Sequence, residues 1–207
     1  MTRVGQVTVA LFAVGLAFLF FVEPDMSAFY YDAPKDWLYF LNLFTHMLSH
    51  ANLRHLTGNF IFGFPYMIFA EHKVRSPKRF LALYLLCGFG ALGLQWIARG
   101  FGTLPSLGVI GSSGAIFGIV GYALASAPAI RWLRVGAFSL LAWHLYTQAS
   151  LAWGVLDGSV FGGVAYAAHL GGMLTGILCA VLSPKCKSCW AKYSPALGKV
   201  FARLRSK

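Results

Sequence analysis

Long apolar stretches alternate with short polar breaks along nearly the whole chain. Runs near residues 4–22, 55–72, 79–99, 111–128, 134–153 and 160–183 are long enough to form helices, each close to the roughly 20 residues needed to cross a bilayer core. The pattern predicts an all-α membrane protein with six transmembrane helices. Arg3 precedes the first run as in a signal peptide, but the run is long for that role and no small-x-small cleavage site follows it, so it reads as a span. The segment after it, EPDMSAFYYDAPKDWLYFLNLFTHMLSHANL, starts too polar to span and is rich in Tyr, Phe and Trp. Such aromatics suit the headgroup level, which predicts an ordered first loop lying partly in the outer leaflet. Residues 1–184 form the expected membrane domain and 185–207 a basic cytoplasmic tail.

Composition strengthens this reading: 58% of the 207 residues are hydrophobic and 11% charged, more apolar than the core of a soluble domain requires. The net charge of +11 would suggest nucleic acid in a soluble protein, but its distribution points to the membrane instead. With the N-terminus inside, Arg3, Lys73, Arg75, Lys78, Arg79, Arg131, Arg134 and the seven basic residues after Pro184 face the cytoplasm, 14 of 17 in all. Glu23, Asp25, Asp32, Asp36 and Asp157 fall outside. That asymmetry follows the positive-inside rule and puts both termini in the cytoplasm. The expected partners are the lipid bilayer and no nucleic acid; oligomeric state leaves no sequence signal.

Polar residues inside spans mark function by default, with structural interhelical hydrogen bonding as the competing account. Ser113 lies 15 residues before Pro128, and His169 lies 15 before Pro184; at 1.5 Å per residue both are about 22 Å above the inner end. Asn59, 14 residues before Lys73, is about 21 Å up, with His55 one turn nearer the outside. Three helices thus bring polar groups to one depth. The Gly-rich loop GFGTLPSLGVIG ahead of Ser113 is irregular backbone at membrane depth, tolerated only where it is enclosed or lines a wet cavity. It predicts a water-filled pocket. Gly111-Ser112-Ser113-Gly114 admits two readings: an ordinary helix N-cap, or a nucleophile at a helix start whose N–H groups would hold a developing negative charge. Gly114-xxx-Gly118 and Gly172-xxx-Gly176 allow close helix approach, which serves packing and a serine–imidazole contact alike.

These residues resemble the rhomboid intramembrane serine proteases, in their compact six-helix bacterial form. The resemblance rests on Gly111 to Gly114 at the start of the fourth span, on His169 with Gly172 and Gly176 in the sixth, on His46, His50, His55 and Asn59 in FTHMLSHANLRHLTGN, and on Glu71 at the inner end of the second. It implies a rhomboid-like bundle and a Ser-His dyad in which His169 takes the proton of Ser113, rather than Ser112. An oxyanion would be held by the Ser113 N–H with His55 and Asn59. Gly111, Gly114, Phe117, His46, His50, Gly172 and Gly176 would support the site. No acid is placed to act as a third member, so His169 is expected to be oriented by packing on Phe117, where the family often has tyrosine. A Trp-Arg pair common before Phe-Thr-His is replaced here by Leu41 and Asn42. The implied substrates are transmembrane or membrane-anchored proteins cut near the outer membrane boundary, in a bacterial inner membrane, without cofactor.

Other features leave alternatives open. His46 and His50, four apart, would suit two metal ligands on a helix, but no outer carboxylate or cysteine completes a site, and the preferred reading is loop stabilisation with no metal. His144 and Gln148 either bond across helices or face the cavity. Trp143 and Trp153 are interfacial anchors or, by resemblance, a lateral gate. Cys87 and Cys179 read as apolar fillers, and Cys186 and Cys189 as a lone pair on the reducing side. Two rivals remain: a rhomboid-like protein that binds transmembrane helices without cutting, and a small-solute transporter, for which internal repeats and intramembrane charges are lacking.

Overall fold

Helices take up nearly all of the described backbone. The computed structural model describes residues 5–30, 35–100, 109–127, 131–156 and 165–183. Among them are eight helices: α1 Gln6–Phe21, α2 Pro24–Ser27, α3 Trp37–Thr45, α4 Leu53–Val74, α5 Pro77–Gly100, α6 Ser113–Ala125, α7 Arg131–Leu156 and α8 Tyr166–Leu182. The protein is all-helical. Each of the six apolar runs carries one of the longer helices, while α2 and α3 lie within the first loop. Proline begins α2 and α5, where its missing N–H costs nothing. The tail 185–207, with Cys186 and Cys189, and the loop residues 101–108 lie outside the described residues.

Lengths depart from the uniform spans expected. Pro77–Gly100 is the one described helix both long and apolar enough to cross a membrane on its own, and Gln6–Phe21, Ser113–Ala125 and Tyr166–Leu182 are apolar but shorter. The fourth run does not turn helical at residue 111. It does so at Ser113, and its 13 residues rise only about 20 Å.

That short helix is the centre of the packing. Gly114, Ala115, Ile116, Gly118, Ile119, Val120, Gly121, Tyr122, Ala123 and Leu124 are all buried, and α4, α5, α7 and α8 pack around it. Its closest partner is α8. A Cβ on Gly172 would overlap the Gly114 carbonyl oxygen, and one on Gly176 would overlap that of Gly118. The two small-xxx-small pairs are therefore set against each other in register, backbone against backbone.

The first loop is pinned across one end of this bundle. Phe29 and Val109 form an isolated antiparallel bridge, with N–H···O distances of 2.9 and 2.8 Å. Asp36 caps α3 by accepting from the Tyr39 N–H at 3.0 Å, and Tyr84 of α5 donates to the Met47 carbonyl at 3.2 Å. Asn42, in place of the arginine of the resembling family, is buried and donates to the Ala28 carbonyl at 3.1 Å. Leu41 beside it is exposed.

At the other end a single carboxylate fixes α1. Gly5 occupies the N-cap of α1 and offers no side-chain acceptor. Buried Glu71 of α4 takes over: it accepts from the Val7 N–H at 3.1 Å, the Thr8 N–H at 3.2 Å and the Thr8 hydroxyl at 2.8 Å. An anion at a helix N-terminus also opposes the helix dipole favourably. Lys73, two residues on, donates to the Ser126 carbonyl at 2.7 Å beyond the end of α6. Glu71→Ala removes the acceptor from three donors, and we expect a loss of about 1–3 kcal/mol, read as a lower unfolding temperature of the detergent-solubilised protein. An unchanged temperature would mean that α1 is held by apolar packing alone.

Candidate active site

The site is assembled where the first loop, α4, α6 and α8 converge. Asn52 has extended backbone angles and its side chain accepts from the His55 N–H at 2.9 Å, an N-cap that starts α4 and aims its first turn. Gly111, with φ +111°, turns the chain into α6 and donates its N–H to the His46 carbonyl at 2.8 Å. A side chain there would stand 2.7 Å from the His55 ring. Glycine is required twice over, for its backbone angle and for its lack of a Cβ.

The two serines that follow point to different partners. Ser112 occupies the N-cap position but makes no side-chain cap hydrogen bond. Its hydroxyl lies 3.0 Å from His50 Nε2 and accepts from the Asn59 amide at 3.4 Å, while its N–H donates to the same His50 nitrogen at 3.3 Å. Ser113, the first residue of α6, has its hydroxyl 2.9 Å from His169 Nε2. The simple capping reading of this tetrapeptide does not describe either hydroxyl.

A cavity of about 180 Å³ opens on Ser113 and His169, walled also by His46, His55, Gly111 and Gly114. Several waters would fit in such a volume. Asn59 is not part of this wall, because its amide is turned to Ser112. His46 Nδ1 donates to the Asn42 carbonyl at 3.0 Å and His50 Nδ1 to the Leu48 carbonyl at 3.1 Å, while His50 Nε2 is engaged with Ser112. Burial pushes both, in the loop outside the spans, down to about 4, and the neighbouring His55 adds to the effect on His50. Both imidazoles are therefore neutral near pH 7. Among the described residues no three His, Cys, Asp or Glu side chains are grouped so as to hold a metal.

His169 is buried and held on three sides. Phe117 stacks on its face, with centroids 4.4 Å apart and an interplanar angle of 17°. Tyr166 meets it edge-on at 6.0 Å, and its Nδ1 is 2.9 Å from the Gln148 side-chain oxygen of α7. Phe117 had been expected from the sequence. Of the two readings open for Gln148, bonding across helices or facing the cavity, the structure shows the first; Tyr166 carries no sequence signal for this contact, because helix rotation decides where a side chain points. His144, one turn away, packs by its ring against Phe62 and Phe117. Trp143 and Trp153 are exposed.

A serine hydroxyl in hydrogen-bond contact with an imidazole, at a helix N-terminus and on the wall of a cavity within an all-helical bundle, is the geometry that nucleophilic serine chemistry requires. The chain belongs to the rhomboid family, whose domain model matches residues 38–185. Members of that family are generally intramembrane serine proteases, and the chain is accordingly a membrane protein. No curated protein matches it.

The turn at Gly111 offers a sharp test of this assembly. Gly111→Ala forces a positive φ on a residue with a Cβ and drives that Cβ into the His55 ring; we expect about 1–3 kcal/mol of destabilisation and loss of serine reactivity. Gly58→Ala, where nothing lies within 4 Å of the new Cβ, should leave stability unchanged or slightly raised. Equal unfolding temperatures for the two variants would contradict the geometry described.

Proposed function

We propose that the protein is an intramembrane serine endopeptidase that cleaves transmembrane proteins near their outer membrane boundary, with Ser113 as nucleophile and His169 as general base. The observation that carries this reading is the 2.9 Å contact between the Ser113 hydroxyl and His169 Nε2, in a chain whose rhomboid domain match spans both residues. Six helices cross the bilayer of a bacterial inner membrane, with both termini in the cytoplasm and the first loop partly in the outer leaflet. Reaction at the outer end follows from that orientation.

His169 Nε2 takes the Ser113 proton as the oxygen attacks the peptide carbonyl, and the tetrahedral oxyanion forms at the start of α6. The first N–H groups of a helix have no partner within it, so the Ser113 N–H is available to the oxyanion, with the helix dipole behind it. His55 lies on the cavity wall and can donate from its ring. Asn59 joins it by exchanging its 3.4 Å bond to Ser112, long for a hydrogen bond and therefore weak, for one to the oxyanion. The imidazolium then protonates the leaving amine, and a cavity water, deprotonated by His169, releases the acyl group. No cofactor takes part. Gly172 and Gly176 keep α8 close enough for the contact, and Gly114 keeps the start of α6 clear of α5, where Ala91 would meet a Cβ at 2.6 Å.

Proteoliposomes holding the protein and single-span reporters, each with a small residue ahead of a helix-weakened outer segment, test the reading. Wild type should yield two fragments per reporter, and Ser113→Ala and His169→Ala should yield none. Reporters retained uncut but co-purifying with wild type would favour a helix-binding protein without protease activity, to which the replacement of Trp-Arg by Leu41 and Asn42 already gives some footing.

A further inference from the structure

We infer that Gln148 of α7 is a positioning residue for the reaction proposed above, on which this inference rests: its side-chain oxygen holds the proton of His169 on Nδ1 and so leaves Nε2 bare to accept the proton of Ser113. The argument is one of donors and acceptors. An amide oxygen carries no hydrogen, so the 2.9 Å bond between Gln148 Oε1 and His169 Nδ1 exists only with the proton on Nδ1. A neutral imidazole has one such proton. Its other nitrogen then presents a lone pair, and that nitrogen is the one 2.9 Å from the Ser113 hydroxyl.

Phe117 cannot make this choice. Its ring stacks on the face of His169, which fixes the plane of the imidazole but is indifferent to which nitrogen is protonated and to a half-turn of the ring within that plane. Without a partner on Nδ1, the opposite tautomer could donate Nε2–H to the serine oxygen, which then keeps its own proton and cannot be activated. Gln148 excludes that state. It acts where water competes little, since both Gln148 and His169 are only 8% exposed.

The choice of an amide over a carboxylate also has a physical reason. A carboxylate at this depth would bury a charge between turnovers, at a desolvation cost of several kcal/mol, unless it took up a proton, in which form its carbonyl oxygen still accepts from Nδ1. The amide dipole orients the imidazole without that cost. In the reaction the Ser113 O–H bond breaks as its oxygen bonds to the peptide carbonyl carbon, the proton moves to His169 Nε2, and the other proton stays on Nδ1, donated to Gln148 Oε1, throughout. His144 and Gln148, four residues apart on one face of α7, thus divide between packing on Phe117 and bonding to His169.

The test uses the full-length protein in proteoliposomes with a fluorophosphonate as probe, comparing wild type, Gln148→Met, which keeps length but has no oxygen, and Gln148→Glu, which keeps an acceptor. For Gln148→Met the limiting rate of covalent labelling should fall about 10- to 100-fold with the half-saturating probe concentration unchanged, and Gln148→Glu should recover most of that rate. Nitrogen-15 spectra of histidine-labelled protein give a second readout: His169 protonated at Nδ1 in wild type, and mixed tautomers in Gln148→Met. A Gln148→Met variant as fast as wild type, a Gln148→Glu variant as slow as Gln148→Met, or wild-type His169 protonated at Nε2 would each overturn the inference. If wild type does not react with the probe while its Nδ1 proton is present and is lost in Gln148→Met, the protease reading fails and the positioning of His169 by Gln148 stands.

Discussion

The contact of α6 with α8 through four glycines is the constraint on which the rest of the molecule depends. Gly114 and Gly118 lie against Gly172 and Gly176 so closely that a Cβ on either α8 glycine would strike backbone oxygen. Ser113 is next to the first of these glycines and His169 is one turn from Gly172, so the same seam that packs the helices sets the distance between hydroxyl and imidazole. In a bilayer, where burial of apolar side chains gives helices little reason to associate, such close backbone packing is a main source of attraction. Packing and the proposed chemistry share one interface.

Around that seam, polar groups within an apolar bundle are each provided with a partner. Among the described residues every buried side-chain nitrogen and oxygen has a hydrogen bond, which a low-dielectric setting demands. The partners also carry direction. Carbonyls of Asn42 and Leu48 draw the Nδ1 protons of His46 and His50, and each ring is thereby left with a bare Nε2, in His50 turned to Ser112. The first loop is more than a connection: through the Gly111 bond to the His46 carbonyl and the Phe29 bridge to Val109, it holds the turn from which α6 departs.

Much of this was legible in the chain. The six long helices follow from apolar runs broken by Pro, Gly and charge, because length and hydropathy are what a membrane selects. Counting rises from Pro128 and Pro184 put Ser113 and His169 at one depth, and the structure brings their side chains together. The start of α6 two residues later than expected reflects Gly111, whose positive φ cannot belong to a helix. What was not legible depends on azimuth and on fine choice among neighbours. The rotation of α7 that turns Gln148 to His169 has no local cause, and Asn59 bonds Ser112 in place of facing the cavity because two serines adjoin. The short helix Trp37–Thr45 was hidden in an aromatic-rich segment whose composition suits the membrane surface as well as a helix.

The central claim is that one serine of the adjacent pair is activated, and site mapping of a fluorophosphonate adduct on the membrane-reconstituted protein tests it most directly. The account predicts a single adduct on Ser113, retained in Ser112→Ala and absent in His169→Ala. An adduct on Ser112, or none on a folded wild type, would contradict it.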